Sequence, residues 1–250
     1  MRLTAVIILL FSTKLLSQVA DFDQEHIESS LINFSKIDVS TEYYRFSELS
    51  EALYLVANGT IELNDISRLN IELSGTSYWN GGQLSFTAGD FNLAYSKNFY
   101  SNNLFDPGYQ GLTASLKGIF PTGDSENPGL FGHFILEPSI FYSWLLKNEK
   151  FFISNQWRFF LPLIDANHND DPPLFLRFEP KFGYESKKIW ASITMDNRMV
   201  FNRDEYVLHG RLDFGLKLTD KFGITSFYTH RLVGNVLFER YAGLGIYNIF

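Results

Sequence analysis

The chain has 250 residues, no cysteine and a formal net charge of −7. One all-β domain of this length is ordinary. The missing cysteine excludes a disulfide framework, a thiolate metal site and a thiol nucleophile, and an acidic balance with no basic stripe excludes a nucleic-acid footprint. Aromatic residues make up 17% of the chain, led by 25 Phe and 13 Tyr, yet the mean hydropathy is only −0.08. That pairing suits a β-wall that is greasy on one face and polar on the other.

At the start, Arg2 precedes an apolar run from Ala5 to Phe11, and the small Ser17 stands before Gln18. This reads as a secretory signal peptide over residues 1–17, with cleavage as late as Ala20. Lys14 shortens the apolar run below the roughly 20 residues a spanning helix needs. Residues 21–37 are expected to form a short periplasmic segment, and residues 38–250 a single domain.

No later stretch is apolar for long enough to cross a membrane as a helix. What recurs is alternation, which in a strand separates two faces. In chain order, strands are expected near 38–47, 52–63, 67–79, 84–98, 110–121, 131–145, 151–163, 174–184, 188–201, 206–218, 222–232 and 238–250. The first two are the weakest, because Asn58-Gly59 falls where a strand should run. Ten strands with an N-terminal plug are the alternative. In the fourth, the apolar face changes phase at Gly89-Asp90, as at a β-bulge.

The later strands are clearer. Ile153, Trp157, Phe159 and Leu161 oppose Ser154, Gln156 and Arg158; Leu174, Leu176, Phe178, Phe182 and Tyr184 oppose Arg177, Glu179 and Lys181. Ile189, Ala191, Ile193 and Met195 oppose Ser192, Thr194, Asp196 and Arg198, and the even positions from Tyr206 to Leu218 oppose His209, Arg211, Asp213 and Lys217. Soluble sandwiches alternate too, but these strands run about ten to thirteen residues, against nearer 5–6 in soluble sheets. Tight turns at 147–149, 185–187 and 219–221 also alternate with longer polar connections at 122–128, 165–173, 202–205 and 233–236. The expected fold is therefore all-β: a transmembrane antiparallel β-barrel of about 12 strands, in the outer membrane of a Gram-negative bacterium, with both termini periplasmic.

A charge facing lipid at the bilayer midplane costs about 2–4 kcal/mol, so the charged face points inward. Lys117, Glu137, Arg158, Arg177, Glu179, Lys181, Asp196, Arg198, His209, Arg211, Asp213, Lys217 and Arg231 are the expected lumen-lining set, as a substrate path or as a salt-bridge network. Trp144, Trp157 and Trp190 are expected in interfacial girdles. The terminal Phe250, closing an alternating strand, resembles the signal read by the barrel-assembly machinery. That machinery and outer-membrane lipid are the expected partners.

The run Gly111 to Asp124, ending Pro121-Thr122-Gly123-Asp124, resembles the outer-membrane transporter barrels associated with phenol meta-cleavage pathways. The likeness continues through Leu136-Glu137-Pro138-Ser139. Pro, Gly and Asp are also ordinary turn residues at a strand end. The resemblance implies passage of small hydrophobic or aromatic molecules and carries no substrate residue across.

Outer-membrane phospholipases are the enzymatic alternative, and they place a His-x-Ser-Asn-Gly run on one strand. Here His133 is followed by Phe134-Ile135-Leu136 and His230 by Arg231-Leu232-Val233. No catalytic residue and no cofactor are expected. His168 among Asp165, Asp170 and Asp171 offers oxygen donors but reads as a solvated acidic loop. A barrel that does not transport, and acts through its loops, is the third reading.

Overall fold

The computed structural model describes residues 36–47, 50–64, 66–80, 83–101, 110–122, 133–146, 150–165, 174–186, 188–219, 221–234 and 239–249. The expected signal peptide, nearly all of 21–37, the turn at 147–149, the loop residues 166–173 with His168, Gly123, Asp124 and Phe250 lie outside them.

Thirteen strand segments follow one another: β1 (Lys36–Ser47), β2 (Ser50–Asn64), β3 (Ser67–Asn80), β4 (Gln83–Ala88), β5 (Phe91–Ser101), β6 (Gln110–Phe120) and β7 (His133–Leu145). They continue as β8 (Phe151–Asp165), β9 (Phe175–Glu185), β10 (Ile189–Val200), β11 (Glu205–Lys217), β12 (Phe222–Val233) and β13 (Arg240–Ile249). All pairings are antiparallel and, apart from β4 and β5, join sequence neighbours, and β13 pairs with β1, closing the sheet. β4 and β5 are two halves of one stave, because β3 pairs with β4 through Gly75–Asn80 and with β5 through Ser67–Glu72. The barrel therefore has 12 staves. Closure removes the free edges that an open sheet of this size would expose.

β1 and β2 belong fully to the wall, which rules out the ten-stranded alternative. Asn58, the residue that weakens the β2 pattern, turns inward and donates a 2.8 Å hydrogen bond to Asp38. Gly59 remains in register between Ile37 and Ile71.

The phase change at Gly89-Asp90 is a true break. On β4 the odd-numbered Thr87 faces inward Thr76, whereas on β5 the inward residues include the even-numbered Asn92, Ala94 and Ser96, each at most 9% exposed. Gly89 is required there, since a Cβ would fall 1.9 Å from Ser74 Oγ. Thr122 pins the break from β6: its hydroxyl accepts the Phe91 N–H at 2.8 Å and donates to the Gly89 carbonyl at 3.2 Å.

One end of the barrel carries the start of β1, the end of β13 and the close connections after β2, β7, β9 and β11. The other carries the wider connections after β6, β8 and β12. The alternation has exceptions, because β1–β2 and β3–β4 are closely joined at the second end and residues 102–109 separate β5 from β6 at the first. Residues Phe201–Arg203 form a 3₁₀ turn, followed by Asp204 at φ 48°.

The outer face is apolar, with Leu55, Leu73, Ile193, Leu212 and Leu244 all more than half exposed. Inside, large rings lie across glycines of the next strand. A Cβ at Gly215 would fall 2.0 Å from the Trp190 ring, and one at Gly183 would fall 2.1 Å from Phe152. Trp190 is thus an interior residue, 2% exposed, and not part of an outer girdle. It shares the face of Ser192 and Thr194, and only a glycine on β11 leaves room for an indole there.

Candidate functional site in the barrel interior

The interior is organised in levels. Nearest the end with the wider connections, six successive strands each contribute one buried apolar side chain: Ile119, Ile135, Phe160, Phe175, Val200 and Val207. These form a collar on the β6–β11 wall, with the Phe160 and Phe175 rings stacked at 4.5 Å. The inward residue two positions further from that end is ionisable on every one of these strands: Lys117, Glu137, Arg158, Arg177, Arg198 and His209.

Below the collar the charges join across strands. Arg158 on β8 lies between two carboxylates, 3.6 Å from Glu137 on β7 and in ionic contact with Glu179 on β9 at 2.9 Å. Arg177 bonds Glu179 at 2.7 Å and engages Asp196 on β10 in a two-pronged contact at 2.8 and 2.9 Å. Arg198 completes the chain on Asp196 at 2.6 Å. The signs alternate from Glu137 to Arg198, three carboxylates against three guanidiniums. Asp196, at 2% exposure, receives two guanidiniums, which is the condition under which a buried carboxylate is tolerated. His209 is fully buried beside it, its Nδ1 4.0 Å from Asp196 Oδ2.

A second cluster centres on Asp213, which takes Arg211 at 2.6 Å, Ser192 at 3.1 Å and Lys181 at 3.6 Å. Lys117 reaches across β5 to Glu72 at 3.6 Å, and Lys217 pairs with Glu185. Arg231, opposite His209 in register, is half-buried on the inward face of β12. These side chains share the parity of the buried positions of their strands.

The wall formed by β12, β13, β1, β2 and β3 is different. Tyr44, Phe46, Tyr54, Tyr78, Phe227 and Tyr241 cluster there with Ala52 and Val56. Glu42 accepts the Tyr44 hydroxyl at 2.9 Å, and Glu72 pairs with Asn92. Arg211 joins the two walls: its guanidinium carbon lies 4.3 Å from the Phe227 ring centre and it donates to the Tyr241 hydroxyl at 3.0 Å.

Sequence reasoning misses the inward carboxylates Asp38, Glu42, Glu72 and Glu185, of which Glu72 and Glu185 pair with Lys117 and Lys217. Strict parity finds them once the inward face of each strand is fixed. No group of three or more metal-ligating residues exists among the described residues. Asp196 and Asp213 are each held by Arg or Lys side chains.

No family model matches the chain and no curated protein is similar to it. Solved structures share its fold. An outer membrane channel from Pseudomonas putida F1 aligns with a TM-score of 0.65 at 13% identity, covering 88% of this chain and 97% of that one. The NanC porin aligns at 0.59 and 10% identity, over 85% and 98%. The KdgM porin, solved in complex with disordered oligogalacturonate, aligns at 0.55 and 9% identity, over 85% and 99%. In fold, this chain is an outer-membrane-type barrel similar to those of porins and channels.

Proposed function

We propose that the protein is a passive outer-membrane channel for small molecules, with both chain termini in the periplasm. The observation that carries the reading is the interior: a connected ladder of charge on one wall, an aromatic wall beside it, and an apolar collar at one end. A polar lining lowers the cost of moving a hydrated solute through a barrel, and an apolar constriction governs wetting. The resemblance around Pro121-Thr122 supports a cargo with an aromatic ring. Such a molecule places its polar group against Arg211 or Arg158 and its ring against Tyr44, Tyr54 or Tyr241. The porin and channel folds of the neighbours, and the commitment of Asp196 and Asp213 to basic partners, support a non-enzymatic role.

A specific observation favours a second reading. Glu137, Glu179, Lys181, Asp196 and Asp213 are each at most 9% exposed, so the ladder also serves a barrel held shut by its own ion pairs. Liposome swelling separates the two. A channel admits small sugars and aromatic carboxylates at rates that fall with solute size, and a closed barrel leaves the vesicles unchanged for every solute.

A further inference from the structure

We infer that the lipid-facing surface of β5–β8 binds one anionic glycerophospholipid, its acyl chain in an apolar groove and its phosphate on Lys97. The inference rests on the membrane-spanning reading above.

The groove encloses about 460 Å³, room for a single long acyl chain. Its shape follows from side-chain size. The outward residues of β6 and β7 at its floor, Ala114 and Pro138, are short. Tyr95 and Phe99 on β5 stand on one side, and Trp157 and Phe159 on β8 on the other. Trp157 is held upright by the Phe178 ring, 4.2 Å away. Pro138 deepens the floor further, because proline gives no N–H to the ladder: the β7–β8 register runs from Leu136↔Leu161 to Ser139↔Arg158 with Glu137 and Pro138 unmatched.

Lys97 decides the occupant. It alternates outward with Tyr95 and Phe99, 44% and 65% exposed, while Ser96 between them is buried. Its ammonium lies 5.8 Å from the Phe99 ring centre, and among the described residues no carboxylate pairs with it. In register it faces Ser67, the first residue of β3. That places it at the membrane surface on the end where β1 begins and β13 ends, and the groove runs from it toward mid-strand at Pro138 and Trp157. A phosphate at the interface with an apolar tail pointing inward has the same order of chemistry, and a cation at that depth attracts an anionic lipid. A zwitterionic headgroup offers the phosphate but adds a competing cation of its own.

The test is native mass spectrometry of the full-length barrel, refolded and titrated with phosphatidylglycerol or phosphatidylcholine in matched detergent, with vesicle insertion measured beside it. The expected result is one retained phosphatidylglycerol per chain, bound about fivefold more tightly than phosphatidylcholine. Lys97→Gln removes the headgroup preference without changing insertion, and Ala114→Trp, which fills the floor, lowers retention of both lipids. Equal binding of the two lipids by an inserted wild-type barrel, or variants indistinguishable from it, overturns the groove proposal alone. Failure of the chain to insert into vesicles overturns the membrane-spanning reading and the groove with it.

Discussion

Tyr44 on β1 and Tyr241 on β13 stack with ring centres 4.6 Å apart and planes 7° from parallel. They are direct register partners across the junction that closes the barrel. Tyr54 meets Tyr44 edge-on at 4.9 Å, and Phe227 meets Tyr241 edge-on at 5.0 Å. The closing seam is therefore held by a run of interior rings as well as by backbone pairing. A double-mutant cycle on Tyr44→Ala and Tyr241→Ala should give a coupling of about 0.5–1.5 kcal/mol, read from urea unfolding of the refolded barrel. Strict additivity would mean that the stack contributes nothing to closure.

Removing Asp196 tests the charge ladder. Asp196→Ala leaves Arg177 and Arg198 without their shared carboxylate at a site where the side chain is 3% exposed. The expected loss is about 3–5 kcal/mol, as for other broken buried pairs. Lys117→Ala breaks a pair whose side chains are 27% and 31% exposed, and should cost only about 0–1 kcal/mol. Comparable losses in the two variants would show that the ladder is not a connected unit.

Ile193 is 55% exposed at the middle of β10, and Ile193→Lys should destabilise the inserted barrel by about 2–4 kcal/mol. Gln156 points inward, with Glu179 as its register partner and its amide oxygen accepting from Arg158 at 2.7 Å, so Gln156→Glu keeps that acceptor, sets its new charge on a guanidinium and should cost less than Ile193→Lys. The reverse order, measured by lipid-vesicle unfolding, would invert the barrel's inside and outside.

Gly215 tests the packing of the interior. Its Cβ would overlap the Trp190 ring at 2.0 Å, so Gly215→Ala displaces the indole and should cost roughly 1–3 kcal/mol. A red shift in tryptophan emission relative to wild type should accompany the loss. An unchanged spectrum and unfolding midpoint would mean that the ring has space in reserve.

Much of this was legible in the sequence, and the reasons are physical. From β9 to β11 every charged residue falls on one face, so 206–218 reads as a strand within one residue of β11 at each end. The change of phase at Gly89-Asp90 is visible because a break reverses which residues are greasy. β1 to β3 are harder to read, since Tyr44, Tyr54 and Tyr78 turn large rings inward and both faces look apolar. That hides the inward carboxylates Asp38, Glu42 and Glu72. The collar escapes for the same reason: Ile135 and Val207 are apolar yet inward. Which cation meets which carboxylate depends on register, and bulges such as those at Phe134/Ile135 and Leu208/His209 shift it by single residues.

As a channel, the barrel must conduct through its interior. Single-channel recording in planar bilayers tests it directly, with Arg211→Glu beside the wild type because Arg211 joins the charged and aromatic walls. Stepwise currents are expected in the wild type, with a shift of ion selectivity toward cations in the variant. A correctly folded, inserted barrel that stays silent at all voltages, or a variant with unchanged selectivity, would contradict it.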